Sequence, residues 1–293
     1  MLAEPQAKAC PPAEAFAYCR RLALSHYENF TVASWLLPRA VRAHLYAIYA
    51  FCRHTDDLGD EAPGDRLALL DEWEADLQRC YDSAPAHPIL TALQDTIRRF
   101  AIPAEPFLKL IEANRMDQRT SRYATFPDLL HYCDHSANPV GHLVLHLFGY
   151  SDPERQRLAD ATCTALQLTN FWQDITIDRG KGRIYIPQED MKRFAYSEEE
   201  LDLGIVNDGF RALMAFELRR TRELFAEGLK LLDMVDGRLR LDLKLFSLGG
   251  LAVLAAVERN GYDVFRCRPK LSRRQKARLF LRGLLPGRPR VTV

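Results

Sequence analysis

Arg53-His54-Thr55-Asp56-Asp57-Leu58-Gly59-Asp60 and Asn170-Phe171-Trp172-Gln173-Asp174-Ile175-Thr176-Ile177-Asp178 decide how this chain is read. Asp56 and Asp60 stand four residues apart, and Asn170, Asp174 and Asp178 keep the same step. On an α-helix a step of four turns the side chain by only about 40°, so each set lines one stripe of a helix. A stripe of like charges repels itself and needs a cation. Mg²⁺, or Mn²⁺ in its place, takes oxygen ligands, keeps several waters and binds substrate phosphates. Two such stripes facing each other across an apolar cavity would hold a diphosphate ester with an apolar tail.

The chain has 293 residues and is 47% hydrophobic, enough to bury a large core. A net charge of +1 argues against nucleic acid as the main partner. Its seven cysteines (Cys10, Cys19, Cys52, Cys80, Cys133, Cys163, Cys267) are scattered, odd in number and without a C-x-x-C pair. That pattern predicts a reducing cytoplasm rather than a disulfide framework or a zinc site. The first sixteen residues lack the apolar run of a signal peptide. Leu245 to Val257 is the longest apolar run, broken by Ser247, Gly249 and Gly250. It is shorter than the roughly 20 residues a membrane span needs, so it reads as a core helix.

The periodicity is helical nearly everywhere. Ala40 to Phe51, Arg66 to Tyr81 and Ile89 to Phe100 each read as helices, with Asp71, Glu72, Glu74 and Asp76 of the second as a solvated face. Thr125-Phe126-Pro127-Asp128 and Ser151-Asp152-Pro153-Glu154 are helix starts, with a capping side chain and an early proline. Ser197-Glu198-Glu199-Glu200 fits a capping box. Asp208 to Leu232 and Arg238 to Asn260 are long amphipathic stretches, and Gly261 is a helix stop. No run alternates at period two, no repeat is visible, and no linker divides the chain. The expectation is one all-α domain over residues 1–293, with the site in a central cavity between helices.

Asp178 to Pro187, basic and carrying Gly180 and Gly182, reads as a flap over the site that offers Lys181 and Arg183 to phosphate oxygens. A diphosphate leaves only when its charge is neutralised, the work of Mg²⁺ held by carboxylates together with Arg and Lys. Arg53, one turn before Asp56, can point into the same region. Departure from an allylic or cyclopropylcarbinyl carbon leaves a carbocation that needs shielding from water and a π face. Tyr49, Phe51, Tyr132, Phe171 and Trp172 lie near the stripes in sequence, as candidate π faces or as plain core.

These motifs resemble those of the squalene/phytoene synthase family. The resemblance covers about His26 to Lys276 and rests on Tyr49-x-x-x-Arg53-x-x-Asp56-Asp57-x-x-Asp60, on Tyr132-Cys133, and on Gln167-x-x-Asn170-x-x-x-Asp174-x-x-x-Asp178 followed by Gly182-Arg183-x-Tyr185-x-Pro187. It implies an all-α prenyl-synthase fold, with Asp56, Asp60, Asn170, Asp174 and Asp178 serving Mg²⁺. It implies a catalytic set of Asp56, Asp57, Asp60, Tyr132, Asp174 and Asp178. Tyr49, Arg53, Asn138, Gln167, Asn170, Gln173, Lys181, Arg183 and Tyr185 would then line the substrate.

Departures from the family pattern narrow the expectation. Members that condense two prenyl diphosphates usually have Arg where Gln173 stands and a small aliphatic residue where Trp172 stands. Asp134 to Gly141 replaces their usual Tyr-x-Val-Ala-Gly, and Tyr27 to Ser34 departs from their Ser-x-Ser-Phe. The stretches Glu28–Pro38, Ser136–His142 and Asn170–Asp174 look like the bacterial hydroxysqualene synthases of hopanoid pathways. Those enzymes take presqualene diphosphate from a sister synthase, ionise it and let water capture the rearranged cation, and an oxidoreductase that forms squalene would follow. Gln173, Asn138 or Tyr132 would position that water. No G-x-G-x-x-G fingerprint is present, compatible with a reaction that uses no NADPH. The alternatives are a condensing synthase making squalene, dehydrosqualene or phytoene, and a non-catalytic assembly factor of the same fold. Both intact stripes argue against the last.

His131 with His135, and His142 with His146, have the spacing of a zinc pair but no third ligand cluster. Cys133 has no basic run beside it to make it a nucleophile. The tail after Asp263 carries ten Lys or Arg residues and no acid, and from Arg273 to Leu285 the bases interleave with Leu279, Phe280, Leu281, Leu284 and Leu285. It reads either as a surface for an anionic membrane or as a tail that is solvated or packed on the body.

Overall fold

Helices begin where the sequence supplies a cap. Asp65, Thr125, Asp152, Ser197, Asn207 and Ser272 each accept a hydrogen bond from a backbone N–H inside the helix they precede. Ser197 with Glu200 closes the expected capping box, and Thr125 with Asp128 closes a second. The structure, a computed structural model, describes residues 11–25 and 39–291. Among them there is no strand, only an isolated bridge between Arg122 and Ile184. The motif around Asn29 lies outside the described residues.

In chain order the helices are α1 (Pro12–Ser25), α2 (Arg39–Asp60), α3 (Arg66–Asp82), α4 (Pro88–Phe100), α5 (Glu105–Arg119), α6 (Phe126–Ser136), α7 (Asn138–Leu147), α8 (Pro153–Gln173), α9 (Ile175–Gly180), α10 (Gln188–Arg193), α11 (Glu198–Asp202), α12 (Asp208–Gly228), α13 (Gly237–Arg259) and α14 (Arg273–Leu284), with a 3-10 turn at Leu229–Asp233 after α12. They form two compact units, one of residues up to 118 with 142–151, the other of residues 119–141 with 152 onward. None of the described helices is long and apolar enough to cross a membrane.

In the first unit α2 packs against α1, α3 and α4. Phe51 stacks on Trp73, with ring centroids 5.6 Å apart, and meets the edge of Phe107 at 5.1 Å. Trp73 Nε1 donates to Thr55 Oγ1 at 2.9 Å, which satisfies the one polar atom of that ring. Two sequence expectations change here. Phe51 is fully buried core, so its ring is no cation-stabilising face. Asp76 is no part of a solvated face: it is buried, accepts from the Ala86 and His87 N–H groups at 2.8 and 3.0 Å, and pins the turn into α4. Asp71 and Glu74 are paired with Arg115 of α5, each at 2.6 Å.

In the second unit α8 is the central helix, packed by α12, α13 and α6. Trp172 is fully buried, with Nε1 donating to Thr221 Oγ1 of α12 at 2.9 Å, so it too is core rather than a lining of the site. The charged centre of this unit is buried. Arg220 Nη2 lies 2.8 Å from Asp190 Oδ2 and 2.6 Å from Glu217 Oε2, and its guanidinium carbon sits 3.5 Å from the centre of the Phe126 ring. Two carboxylates share one guanidinium with almost no water, and burial pushes Glu217 up to about 8.

A carboxyl whose pKa is raised on folding keeps its proton in the folded chain after the unfolded chain has lost it. The folded state therefore loses stability as pH rises from the ordinary glutamate range towards 8. Glu217→Gln should flatten this dependence: from pH 5 to pH 8.5 the melting temperature of the parent should fall relative to that of the variant. Parallel melting profiles would show that Glu217 is ionised throughout.

Candidate active site

The first acidic motif closes α2. Its face splits into two stripes. Arg53, Asp57 and Glu61 form a chain of ion pairs, with Arg53 Nη2 at 2.6 Å from Asp57 Oδ1 and 3.1 Å from Glu61 Oε1. Asp57 thereby acts as the partner that holds Arg53 rather than as an isolated catalytic acid. Asp56 and Asp60 form the other stripe. Asp56 is open to solvent, yet surrounding protein desolvates its carboxyl and pushes its pKa up to about 7. The charges of Asp60 and Asp117 add to the rise; the hydrogen bond from Asn114 and the charge of Arg53 oppose it. Tyr49, two turns earlier, is buried.

Sequence reading missed the part of α5. Asn114 Nδ2 donates to Asp56 Oδ1 at 3.2 Å and to Leu110 O at 3.2 Å, and Gln118 Nε2 donates to Gly59 O at 2.9 Å. The close crossing needs Gly59, because a Cβ there would run into the Asn114 amide. Asn114-Arg115-Met116-Asp117 was the only local signal, a polar run inside an otherwise apolar pattern.

The second motif is not one continuous helix. α8 ends at Gln173 and α9 begins at Ile175, with Asp174 between them at φ −110° and ψ 16°. The four-residue step survives in the hydrogen bonds, Asp174 N to Asn170 O at 2.8 Å and Asp178 N to Asp174 O at 2.9 Å. The segment after α13 lies along this junction. Arg268 grips both oxygens of Asp174, with Nη2 at 2.7 Å from Oδ2 and Nε on Oδ1. Gln173, buried, donates to Pro269 O. Thr176 Oγ1 donates to Val264 O at 3.4 Å. Asn170 is exposed, Gln167 half-buried, and Asp178 half-buried.

Around this junction stands a stack of rings. Phe171 and Tyr185 are nearly parallel with centroids 3.8 Å apart; Tyr132 and Tyr123 each lie 5.7 Å from Tyr185 and 5.6 Å from one another. Tyr123 was not foreseen. A small recess is lined by Phe171, Asp178, Arg183 and Tyr185, so the rings, one acid and one base share a wall. Asn138 is buried and accepts from Thr164 Oγ1 at 2.9 Å, which makes it a brace between α7 and α8. The expected flap is in fact anchored: 178–180 belong to α9, Ile184 N donates to Ser121 O at 2.9 Å, Arg122 Nη1 donates to Gly182 O at 2.6 Å, and Ile184 to Ile186 are buried. Lys181 stays exposed at the turn and Arg183 half-buried.

The acids and Asn170 offer only oxygen, the donor set of a hard cation. Among the described residues no three His, Cys, Asp or Glu side chains converge on a metal position. One or two carboxylates per ion, completed by waters and phosphate oxygens, is the Mg²⁺ pattern, so the residues fit that ion. A guanidinium already balances Asp174. The His131 and His135 pair is otherwise engaged, with His135 Nδ1 at 2.9 Å from His131 O. Cys133 is buried, its thiol pushed up to about 12 by desolvation and by Asp134, and is no nucleophile.

The family profile of squalene/phytoene synthases matches residues 24–275. The chain belongs to the squalene/phytoene synthase family. Among curated members, a 15-cis-phytoene synthase of Synechococcus elongatus is 35% identical over 269 residues, 87% of this chain and 87% of that protein. Another from Synechocystis sp. is 35% identical over 282 residues, 90% and 83% of the two chains. Among solved structures, the squalene synthase HpnC from Alicyclobacillus acidocaldarius is 50% identical, with a TM-score of 0.84 over 87% of this chain and 97% of that one. A dehydrosqualene synthase in complex with ligand is 27% identical, with a TM-score of 0.85 over 93% and 96%. The fold is therefore the all-α isoprenoid synthase fold.

The crossing of α2 and α5 is testable. Gly59→Ala should destabilise the chain by roughly 1–3 kcal/mol, the range for overpacking a close contact. In an Asn114→Ala background the same change should cost much less, because its obstacle is gone. Equal losses in both backgrounds, read by denaturant unfolding, would mean that the amide does not set the crossing.

Proposed function

We propose that this chain is a hydroxysqualene synthase: it ionises presqualene diphosphate, guides rearrangement of the cyclopropylcarbinyl cation, and lets one water add, giving hydroxysqualene, diphosphate and a proton. The observation that carries this reading is Gln173. Where condensing members of the family usually carry Arg, this chain has a neutral amide, buried and committed to Pro269 O. The guanidinium beside Asp174 then comes from Arg268, after α13, and none from position 173, which suits one diphosphate rather than two. The 50% identity to a squalene synthase supports chemistry on the same class of C30 intermediate.

In this proposal Asp56 and Asp60 of the first unit, and Asn170, Asp174 and Asp178 of the second, are the residues that would hold Mg²⁺ and a diphosphate. Bound there, the metal neutralises charge that develops on the leaving group. Arg53, kept extended by Asp57 and Glu61, and Lys181 and Arg183 at the end of α9 bind the remaining phosphate oxygens. The Phe171, Tyr185 and Tyr132 rings present π faces to the cation and keep bulk water off it. Tyr132 positions the water that adds, and the released diphosphate takes its proton.

A second reading, condensation of two prenyl diphosphates, is favoured by the curated relatives named as phytoene synthases. One experiment separates the two. The purified chain with Mg²⁺ and presqualene diphosphate, without nicotinamide cofactor, should yield hydroxysqualene by mass spectrometry, and farnesyl or geranylgeranyl diphosphate alone should yield nothing. A C30 or C40 product from prenyl diphosphates alone would replace the hydration reading with condensation. Asp174→Asn should lower turnover by roughly 100-fold or more, the scale of losing one preorganised electrostatic contact, with little change in melting temperature. Full turnover in that variant would remove Asp174 from the metal site.

A further inference from the structure

α14 is fixed to the second unit by one face only. Gly283 is buried against Leu241 and Leu245 of α13, Leu279 and Phe280 are half-buried, and Lys244 Nζ donates to Leu285 O at 2.5 Å just beyond the helix. Ser272 and Gln275 close a capping box at its start. The tail is thus neither loose nor wholly buried. Among the described residues, no helix packs on the side that carries its exposed leucines. Arg274, Arg278 and Leu281 follow the i, i+4, i+7 pattern of one helical stripe, with Ala277 and Leu284 along its edge and Leu285 just past the helix end. Leu281, Leu284 and Leu285 are 64%, 55% and 62% exposed, and they are three of the eight exposed large apolar side chains among the described residues.

Such a cluster is costly in water unless something covers it. The charges say what. Residues 264–293 contain ten Lys or Arg and no acid, in a chain whose net charge is only +1. No ion pair among the described residues involves Arg273, Arg274, Arg278 or Arg282. A row of leucines bordered by arginines whose stems reach sideways is the pattern of a helix lying in the plane of an anionic bilayer, apolar side chains among the acyl chains and guanidinium groups at the phosphates. An acidic protein or a nucleic acid would pair with the arginines and leave the leucines uncovered.

We propose that the outward face of α14, Arg273 to Leu285, is a docking surface for the anionic leaflet of a membrane, with Leu281, Leu284 and Leu285 inserted and Arg273, Arg274, Arg278 and Arg282 bound to lipid phosphates. The surface stands apart from the reaction proposed above.

The full chain should co-sediment with vesicles of equal parts phosphatidylglycerol and phosphatidylcholine, fail to do so with phosphatidylcholine alone, and lose binding as salt is raised. Two triple variants test the two halves of the surface. Arg273→Gln/Arg274→Gln/Arg278→Gln and Leu281→Ser/Leu284→Ser/Leu285→Ser should each weaken binding by about tenfold or more, with unchanged circular dichroism and melting temperature. Absence of binding by the parent chain, or equal binding to neutral vesicles, overturns the proposal. So does full binding by the leucine variant, which would make the arginines a general polyanion site open to RNA or acidic protein.

Discussion

A carboxylate crowded by protein and by other carboxylates must be met by a proton, a hydrogen-bond donor or a cation. This chain meets that demand differently at each of its acidic centres. Asp76 is satisfied by backbone N–H groups and becomes a structural pin. Glu217 and Asp190 share Arg220, with the rise in Glu217 taking up the surplus charge. Asp57 is matched by Arg53. Asp56 has only a single amide donor from Asn114, with Asp60 and Asp117 close enough to raise it further. That residual imbalance, in a place water reaches, sets Asp56 apart from the acids that hold the fold together and is why the proposed function gives it to a cation.

Asp174 shows the same logic from the other side. Its two oxygens are forked by Arg268, so the chain supplies a counter-ion of its own. Gln173 and Thr176 tie the same strip of chain to α8 and α9. The 264–270 strip is therefore part of the acidic junction, and the helix that follows it carries the exposed leucines and arginines of the outward face. One C-terminal segment thus serves the acidic junction at its start and carries, at its end, the surface proposed to meet lipid.

The helices were legible because their starts are local events: a Ser, Thr or Asp cap and a proline or glutamate within three residues are enough to place them. Both acidic motifs were legible for the same reason. What could not be read is what arrives from elsewhere in the chain. Arg268 lies 94 residues from Asp174, and Asn114 lies 58 from Asp56. No periodicity reports either approach. Asp76 looked solvated because helical spacing records which side a residue is on, not that a later turn aims two N–H groups at it. The break at Asp174 was hidden because the four-residue hydrogen-bond step runs through it unchanged. Phe51 and Trp172 stand beside the motifs in sequence but on the opposite side of their helices, which decides for core between the two readings that the sequence left open.

The central claim is that the acidic sets are cation sites for a diphosphate. Thermal melting of the chain with Mg²⁺, with inorganic diphosphate, and with both together tests it without any turnover. The account predicts a rise in melting temperature that needs both ligands and is largely lost in Asp56→Asn. An equal rise in that variant, or the same rise with diphosphate alone, would contradict it.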